Sequence, residues 1–158
     1  MCGTIKRRWW GLLFVVSGIQ IVSGDLPRGL REALAEFETG ATTTASGPQD
    51  RLVGKHDEVS RYQILPSVWK HYSGVQNYHD PELAWSVAAR ILHDREKWFR
   101  GATGRTWDYI DIYVMWNAPG QYSRAKWNRA RISPAVLERA QRFANLMQVR
   151  ARTFADRR

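Results

Sequence analysis

Cysteine is nearly absent from this chain of 158 residues, since Cys2 is the only one. A single cysteine excludes a disulfide framework, a zinc site built on cysteines and a Cys-x-x-Cys redox motif. Internal repeats are lacking, and no apolar run reaches the roughly 18–20 residues that span a bilayer. The hydrophobic share of 44% and the charged share of 25% are typical of one globular domain.

Motifs of the common enzyme classes are also missing. The histidines are too far apart for a helical His-x-x-x-His pair, and no His-Glu-x-x-His occurs; they are His56, His71, His79 and His93. No serine lies in a Gly-x-Ser-x-Gly setting, and no glycine-rich phosphate loop follows a strand. The sequence therefore predicts neither a metal nor any other cofactor.

The first 24 residues resemble an export signal. Three cations, Lys6, Arg7 and Arg8, precede an apolar stretch over residues 9–22, and small residues follow it. This order predicts a signal peptide over residues 1–24, with cleavage before Asp25. The alternative is an uncleaved anchor, but polar interruptions and a short apolar stretch favour cleavage. We therefore expect a location in the periplasm or outside the cell, without stable membrane insertion.

The chain is strongly basic, with 24 lysines and arginines against 15 acids and a formal charge of +9. Such a balance is often found in proteins that bind nucleic acid. Export changes this expectation, because the abundant anionic polymers outside the cytoplasm are cell-wall glycans, their acidic stem peptides and lipid headgroups. These are therefore the candidate partners ahead of nucleic acid, and the sequence predicts no oligomeric state.

Helical patterns dominate the rest of the chain. Apolar spacing, Asp-Pro and Ser-Pro starts and glycine or proline stops predict helices over residues 26–39, 81–100, 109–118 and 134–149. Residues 40–57 form a turn-rich loop with room for a short hairpin. The prediction is a mainly α, single domain over residues 25–149, followed by a basic tail over residues 150–158.

Glu38 is the most promising chemical group. On a helical wheel it lies about 80° from Leu30, at the margin of the apolar face of the first helix. A carboxyl at the edge of a core loses hydration and tends to stay protonated, as a general acid for a glycosidic bond must. Aromatic side chains that can stack on sugar rings are plentiful, and Tyr62 and Tyr122, near turns, are expected at the surface.

Four segments in matching order resemble the soluble lytic transglycosylase domain of the lysozyme-like superfamily. Residues 33–40 (ALAEFETG) are similar to the family's catalytic helix, which ends in Glu-Ser-Gly. Residues 60–66 (SRYQILP) are similar to its Gly-Leu-Met-Gln-Ile-Met-Pro segment, and residues 113–120 (YVMWNAPG) to its Ala-Tyr-Asn-Ala-Gly-Pro-Gly segment. Residues 80–92 match the family's Asp-Pro start and Ala-rich helix.

The resemblance implies a lysozyme-like α+β fold with little strand and a single catalytic acid, Glu38. It also implies that Gln63 and Asn117 contact the glycan and that Tyr62 borders the cleft. The family's tyrosine that contacts the glutamate is replaced by Trp116, and Tyr113, one helical turn earlier, is the candidate for its role. The implied partner is the glycan strand of peptidoglycan rather than nucleic acid. The implied reaction cleaves its bond between N-acetylmuramic acid and N-acetylglucosamine and closes a 1,6-anhydro ring.

Three further functions stay open. A hydrolase of the same fold would use Glu38 as acid and a second carboxylate from Asp50, Asp57 or Glu58. A wall-binding module that has lost catalysis is the second. It is favoured by Ser60, which replaces the glycine that opens the family's central segment, and by Trp116, which replaces its tyrosine. An exported basic protein that binds nucleic acid or an anionic surface ranks last, because its cations are scattered.

Overall fold

The structure, a computed structural model, describes residues 25–155, with side chains to residue 153. The predicted signal peptide over residues 1–24 lies outside these described residues. The prediction of a mainly helical domain is confirmed. Residues 25–155 form six α-helices in order: α1 (Leu30–Thr39), α2 (Pro66–Tyr72), α3 (Pro81–Thr103), α4 (Tyr109–Asn117), α5 (Pro119–Arg124) and α6 (Pro134–Ala155). Short 3-10 turns lie at Pro48–Arg51 and Arg129–Arg131.

Strand pairing within residues 25–155 is limited to one isolated antiparallel bridge, between Val59 and Ile64. The bridge lies just after the turn-rich loop in which the sequence left room for a hairpin. None of the helices described is both long and apolar enough to cross a membrane.

Local capping chemistry explains where the helices begin and end. The carboxylate of Asp80 accepts hydrogen bonds from the backbone N–H groups of Glu82 and Leu83, which starts α3. Gly104 ends this helix at a φ of 69°, a left-handed conformation that favours glycine. The first helix starts at Leu30 rather than at residue 26, because Gly29 at a φ of 78° is not helical.

Helix α4 lies at the centre of the domain, in contact with α3, α5 and α6. The sequence predicts one buried face, but every residue from Asp111 to Trp116 is buried. The apolar faces of α3 and α6 cover α4 from different directions, which explains the difference.

Asp111, on this buried helix, has its charge fully compensated. Its carboxylate accepts hydrogen bonds from Arg105 at 2.6 Å, Arg129 at 3.1 Å and the Tyr122 hydroxyl at 2.6 Å. The expectation that Tyr122 is a surface residue is wrong, since its side chain is fully buried. The hydroxyl can be buried because Asp111 supplies its partner.

The last helix extends further than the sequence indicates. Residues 150–155, assigned above to the basic tail, continue α6. Arg150 forms an ion pair with Glu36 of α1, so this segment contacts the rest of the domain.

The loop after α1 is organised by a buried ion pair. The Arg61 guanidinium donates to the Asp50 carboxylate at 2.5 and 2.8 Å and to the main-chain oxygens of Thr43 and Ala45, each at 2.7 Å. Burial opposes ionisation of Asp50, but Arg61 and the N–H of Gly47 hold its pKa below the usual value. The pair therefore fixes the course of residues 43–61 beside the end of α1.

We expect the substitution Asp50→Asn to lower the free energy of unfolding by about 3–5 kcal/mol, because it leaves Arg61 buried without a counter-ion. Urea denaturation at neutral pH measures this loss. Because the pKa of Asp50 is lowered in the folded state, the difference from wild type shrinks as the pH falls through the folded-state pKa.

Asp57→Asn is the matched control, since Asp57 is exposed in the same loop and asparagine tolerates its φ of 62°. Its effect should stay within about 0.5 kcal/mol. Equal losses in the two variants would contradict a special role for the buried pair.

Candidate functional site

Glu38 lies in the last turn of α1, and the end of that helix sets its position. Gly40, at a φ of 74°, donates its N–H to the Glu36 oxygen, and Ala41 donates to the Ala35 oxygen. The bond from Gly40 to Glu36 is that of an αL cap, which needs a left-handed residue where the glycine stands. The Thr39 hydroxyl also donates to the Arg61 oxygen at 3.1 Å, so the helix end is tied to the ordered loop.

The Glu38 carboxyl joins three helices. The hydroxyl of Tyr113, on α4, donates to its Oε1 at 2.9 Å, and Nη2 of Arg139, on α6, donates to its Oε2 at 3.0 Å. Arg139 Nε also donates to the Tyr113 hydroxyl at 2.6 Å. Tyr113 thus makes the contact that the resemblance assigned to a tyrosine. Each carboxyl oxygen has one donor, and the two donors hold each other.

Aromatic packing excludes water behind the carboxyl. Phe37 lies edge-on to Tyr113, with ring centroids 4.9 Å apart, and to Phe143 at 5.5 Å. The Arg139 guanidinium covers the Phe37 ring at 5.7 Å. The Glu38 side chain is consequently only 6% exposed.

Burial raises the pKa of Glu38 above that of a free glutamate, and the hydrogen bonds from Tyr113 and Arg139 oppose this rise. Burial also raises the pKa of Tyr113, so its hydroxyl remains a neutral donor. A carboxyl under these opposing influences can give up a proton and take it back, which is the requirement for a group that acts first as acid and then as base.

The Glu38 carboxyl lies on the wall of a cavity of about 580 Å³, within the size range of small-ligand sites. Two predicted site residues, Gln63 and Asn117, line the same cavity. The rest of the lining combines apolar side chains with charged and polar ones: Lys55, His56, Glu58, Ile64, Leu65, Val68, Ile91, Arg95, Trp116, Pro119 and Arg139. The structure therefore brings together residues from all four segments of the resemblance, with Ile91 from residues 80–92.

Gln63 reaches the cavity from a tight turn. Its φ is 51° and that of Ser60 is 65°, both in the left-handed region. Ser60 stands where the family has glycine, and this φ explains why glycine suits that position. The Gln63 amide nitrogen donates to the Ser60 oxygen at 3.1 Å, which holds the side chain against its own turn.

Tyr62 does not border the cleft. Its side chain is fully buried, with its ring centroid 5.7 Å from that of Trp85, and it is not among the cavity residues. The turn directs Gln63 to the cavity and Tyr62 into the core. Tyr62 is thus a packing residue, and the expectation of a surface tyrosine is corrected.

The three candidate second carboxylates occupy different surroundings. Asp50 is engaged by Arg61 in the core, and Asp57 is exposed outside the cavity lining. Glu58 lines the cavity, and its Oε2 accepts the backbone N–H of His56 at 2.8 Å. Of the three, Glu58 alone shares the cavity with Glu38.

Arg139, Arg95 and Trp116 are cavity residues that the sequence analysis did not assign to the site. Arg139 is separated from Glu38 by 101 positions, and no motif surrounds it, so its pairing depends on how α6 packs against α1 and α4. Trp116 stood out as a departure from the family's pattern, yet it contributes to the cavity wall.

Among residues 25–155, no group of three or more potential metal ligands lies together. The chain matches no protein-family model, no curated protein and no solved structure. The geometry around Glu38 is accordingly the main indication of function.

We expect Arg139→Gln to raise the pKa of Glu38 further, because the variant removes a cation and a charge-assisted hydrogen bond from the carboxylate. A titration of the Glu38 carboxyl carbon by NMR measures the change.

Arg142→Gln is the control, since Arg142 lies on the same helix but is exposed and outside the cavity. The control should leave the Glu38 titration where it is in the wild type. A fall of the pKa in Arg139→Gln would contradict the assigned electrostatics.

Proposed function

We propose that the protein is a lytic transglycosylase that cleaves peptidoglycan glycan strands with Glu38 as its single catalytic acid and base. The observation that carries this proposal is a buried carboxyl of raised pKa on a cavity wall, held by Tyr113 and Arg139. Its position at the end of α1, just before an ordered loop and a short bridge, also supports a lysozyme-like arrangement.

In the first step, protonated Glu38 donates its proton to the oxygen between N-acetylmuramic acid and N-acetylglucosamine. The glycosidic C1–O bond breaks, and positive charge develops at the muramic C1 in an oxocarbenium-like transition state. The Glu38 carboxylate that results is stabilised by the Tyr113 hydroxyl and the Arg139 guanidinium. Burial thus favours the acid before the step, and the two donors stabilise the base after it.

In the second step, the Glu38 carboxylate takes the proton from the muramic acid's own C6 hydroxyl. The C6 oxygen bonds to C1 and closes the 1,6-anhydro ring, while Glu38 returns to its protonated state. No water is consumed, so one carboxyl completes the cycle. The apolar part of the cavity wall suits this step, because it limits competition from water.

The cavity walls also suit a glycan. The amides of Gln63 and Asn117 can exchange hydrogen bonds with hydroxyl and acetamido groups. Trp116, Ile64 and Leu65 offer apolar surface to the C–H faces of the sugar rings. Peptidoglycan as substrate also agrees with the exported location that the sequence predicts.

A hydrolase is the second candidate, and the location of Glu58 favours it. A second carboxylate in the same cavity could direct a water molecule to C1 in place of the C6 hydroxyl. The products distinguish the two chemistries, since hydrolysis leaves reducing ends and transglycosylation leaves anhydro ends.

Mass spectrometry of products from purified peptidoglycan tests the proposal on residues 25–158. We expect anhydromuropeptides from the wild type and a loss of at least about 10²-fold in Glu38→Gln, because an amide cannot transfer the proton.

Glu36→Gln is the matched control and should keep its activity, since Glu36 lies on the same helix, pairs with Arg150 and is outside the cavity. Absence of products from a folded wild type that still binds glycan would reject catalysis and favour the wall-binding module.

Glu58→Gln decides between the two chemistries. For a transglycosylase we expect anhydro products to persist within about tenfold of wild type, because the C6 hydroxyl needs no second carboxylate. The ratio of anhydro to reducing ends is the measurement. Reducing ends in the wild type that disappear in Glu58→Gln would establish hydrolysis instead.

A further inference from the structure

Arg95 is a cation of the cavity that has no acidic partner. Its Nη1 donates to the main-chain oxygens of Met115 at 2.8 Å and Trp116 at 2.6 Å, at the end of α4. Its guanidinium also lies 5.4 Å from the Trp116 ring centroid. Among residues 25–155, no carboxylate lies within ion-pair distance of Arg95. In contrast, Arg139 on the same cavity is paired with Glu38.

Burial is unfavourable for this charge and lowers the pKa of Arg95 to about 10, so the side chain remains charged at neutral pH. The negative end of the α4 dipole compensates part of the cost. Nε and Nη2 make no hydrogen bond within the described part of the chain, although guanidinium can bind a carboxylate through two nitrogens. An anion in the cavity would satisfy these donors.

The net charge of the whole cavity also favours an anionic ligand. Lys55, Arg95 and Arg139 stand against the carboxyls of Glu38 and Glu58. When Glu38 is protonated, as the first chemical step requires, the cations outnumber the anions by two. The cavity is therefore electrostatically prepared for a ligand that brings negative charge.

We propose that Arg95 binds a carboxylate carried on the lactyl substituent of the muramic acid residue. This inference rests on the proposed function and names the part of the substrate that the site recognises. The lactyl carboxyl is free in peptide-free strands, and in complete strands it carries a stem peptide with carboxylates of its own. N-acetylglucosamine has no such group.

Recognition of this carboxylate determines which sugar of the strand lies opposite Glu38. The two sugars alternate and share an acetamido group and a pyranose ring, so stacking and amide contacts distinguish them poorly. A cation on the cavity wall places the muramic residue, rather than its neighbour, where its C1 faces Glu38. Arg95 is thus a specificity residue and takes no part in proton transfer.

Calorimetric binding to the Glu38→Gln protein, in which the ligand is not consumed, tests the proposal. Three tetrasaccharides of alternating muramic acid and glucosamine units are compared: one with free lactyl carboxylates, its lactyl methyl ester, and one with stem peptides. We expect the Arg95→Gln substitution, introduced into the Glu38→Gln protein, to weaken binding of the free acid, the stem-peptide ligand, or both by about 10- to 100-fold. Binding of the methyl ester should not change.

Arg90→Gln is the matched control, because Arg90 lies on the same helix, donates to the Tyr72 oxygen and is outside the cavity. A loss of affinity for the free acid identifies the lactyl carboxylate as the group that Arg95 binds. A loss of affinity confined to the peptide-bearing ligand identifies a carboxylate of the stem peptide. An equal loss for the ester and for both charged ligands would show a structural role of Arg95 at the end of α4 and overturn the proposal.

Salt dependence with Arg95 unaltered gives a second readout if Arg95→Gln fails to fold. Binding of a carboxylate ligand should weaken with rising salt, whereas binding of the ester should not. Equal salt dependence of binding for the carboxylate ligand and the ester would overturn the carboxylate site at Arg95 but leave the proposed function standing. Absence of glycan binding, together with absence of products from the wild type, would instead reject the proposed function and this inference with it.

Discussion

The burial of α4 on all sides is the constraint on which the rest of the structure depends. A helix enclosed by other helices must satisfy each of its polar groups within the protein, because an unpaired polar group in a core costs about 1–3 kcal/mol. Helix α4 has three such requirements: the Asp111 carboxylate near its start, the Tyr113 hydroxyl in its middle, and the carbonyl oxygens of its last turn. Each is met by a side chain from another element.

The candidate site is formed by the side chains that satisfy two of these polar groups, the Tyr113 hydroxyl and the last carbonyl oxygens of α4. The Tyr113 hydroxyl finds its partners in Glu38 and Arg139, which links α4 to α1 and α6. The last carbonyl oxygens find theirs in Arg95 of α3. Glu38 and Arg95 are therefore both held by contacts with the same central helix.

Local signals made part of this predictable from the sequence. The Asp80 cap marked the start of α3, although its predicted end at residue 100 falls three residues short of Thr103. The edge position of Glu38 on its helix indicated a partly buried carboxyl. Long-range packing escaped prediction. The apolar composition of α4 does not reveal whether one face or all faces are covered, and Tyr62 and Tyr122 lie near turns although their side chains are buried.

The charged groups of the protein fall into two kinds, and this difference separates structure from function. The buried acids of the core have complete sets of partners, as Asp50 has in Arg61 and Asp111 has in Arg105 and Arg129. The charged groups around the cavity have fewer partners than the buried acids of the core. Glu38 is paired with an arginine whose side chain is 42% exposed, and Arg95 has carbonyl oxygens but no acid. Arg95 is partly buried, and the partial burial of a charge without an acidic partner costs stability. A ligand that supplies the missing anion is the simplest explanation for this cation on a cavity wall.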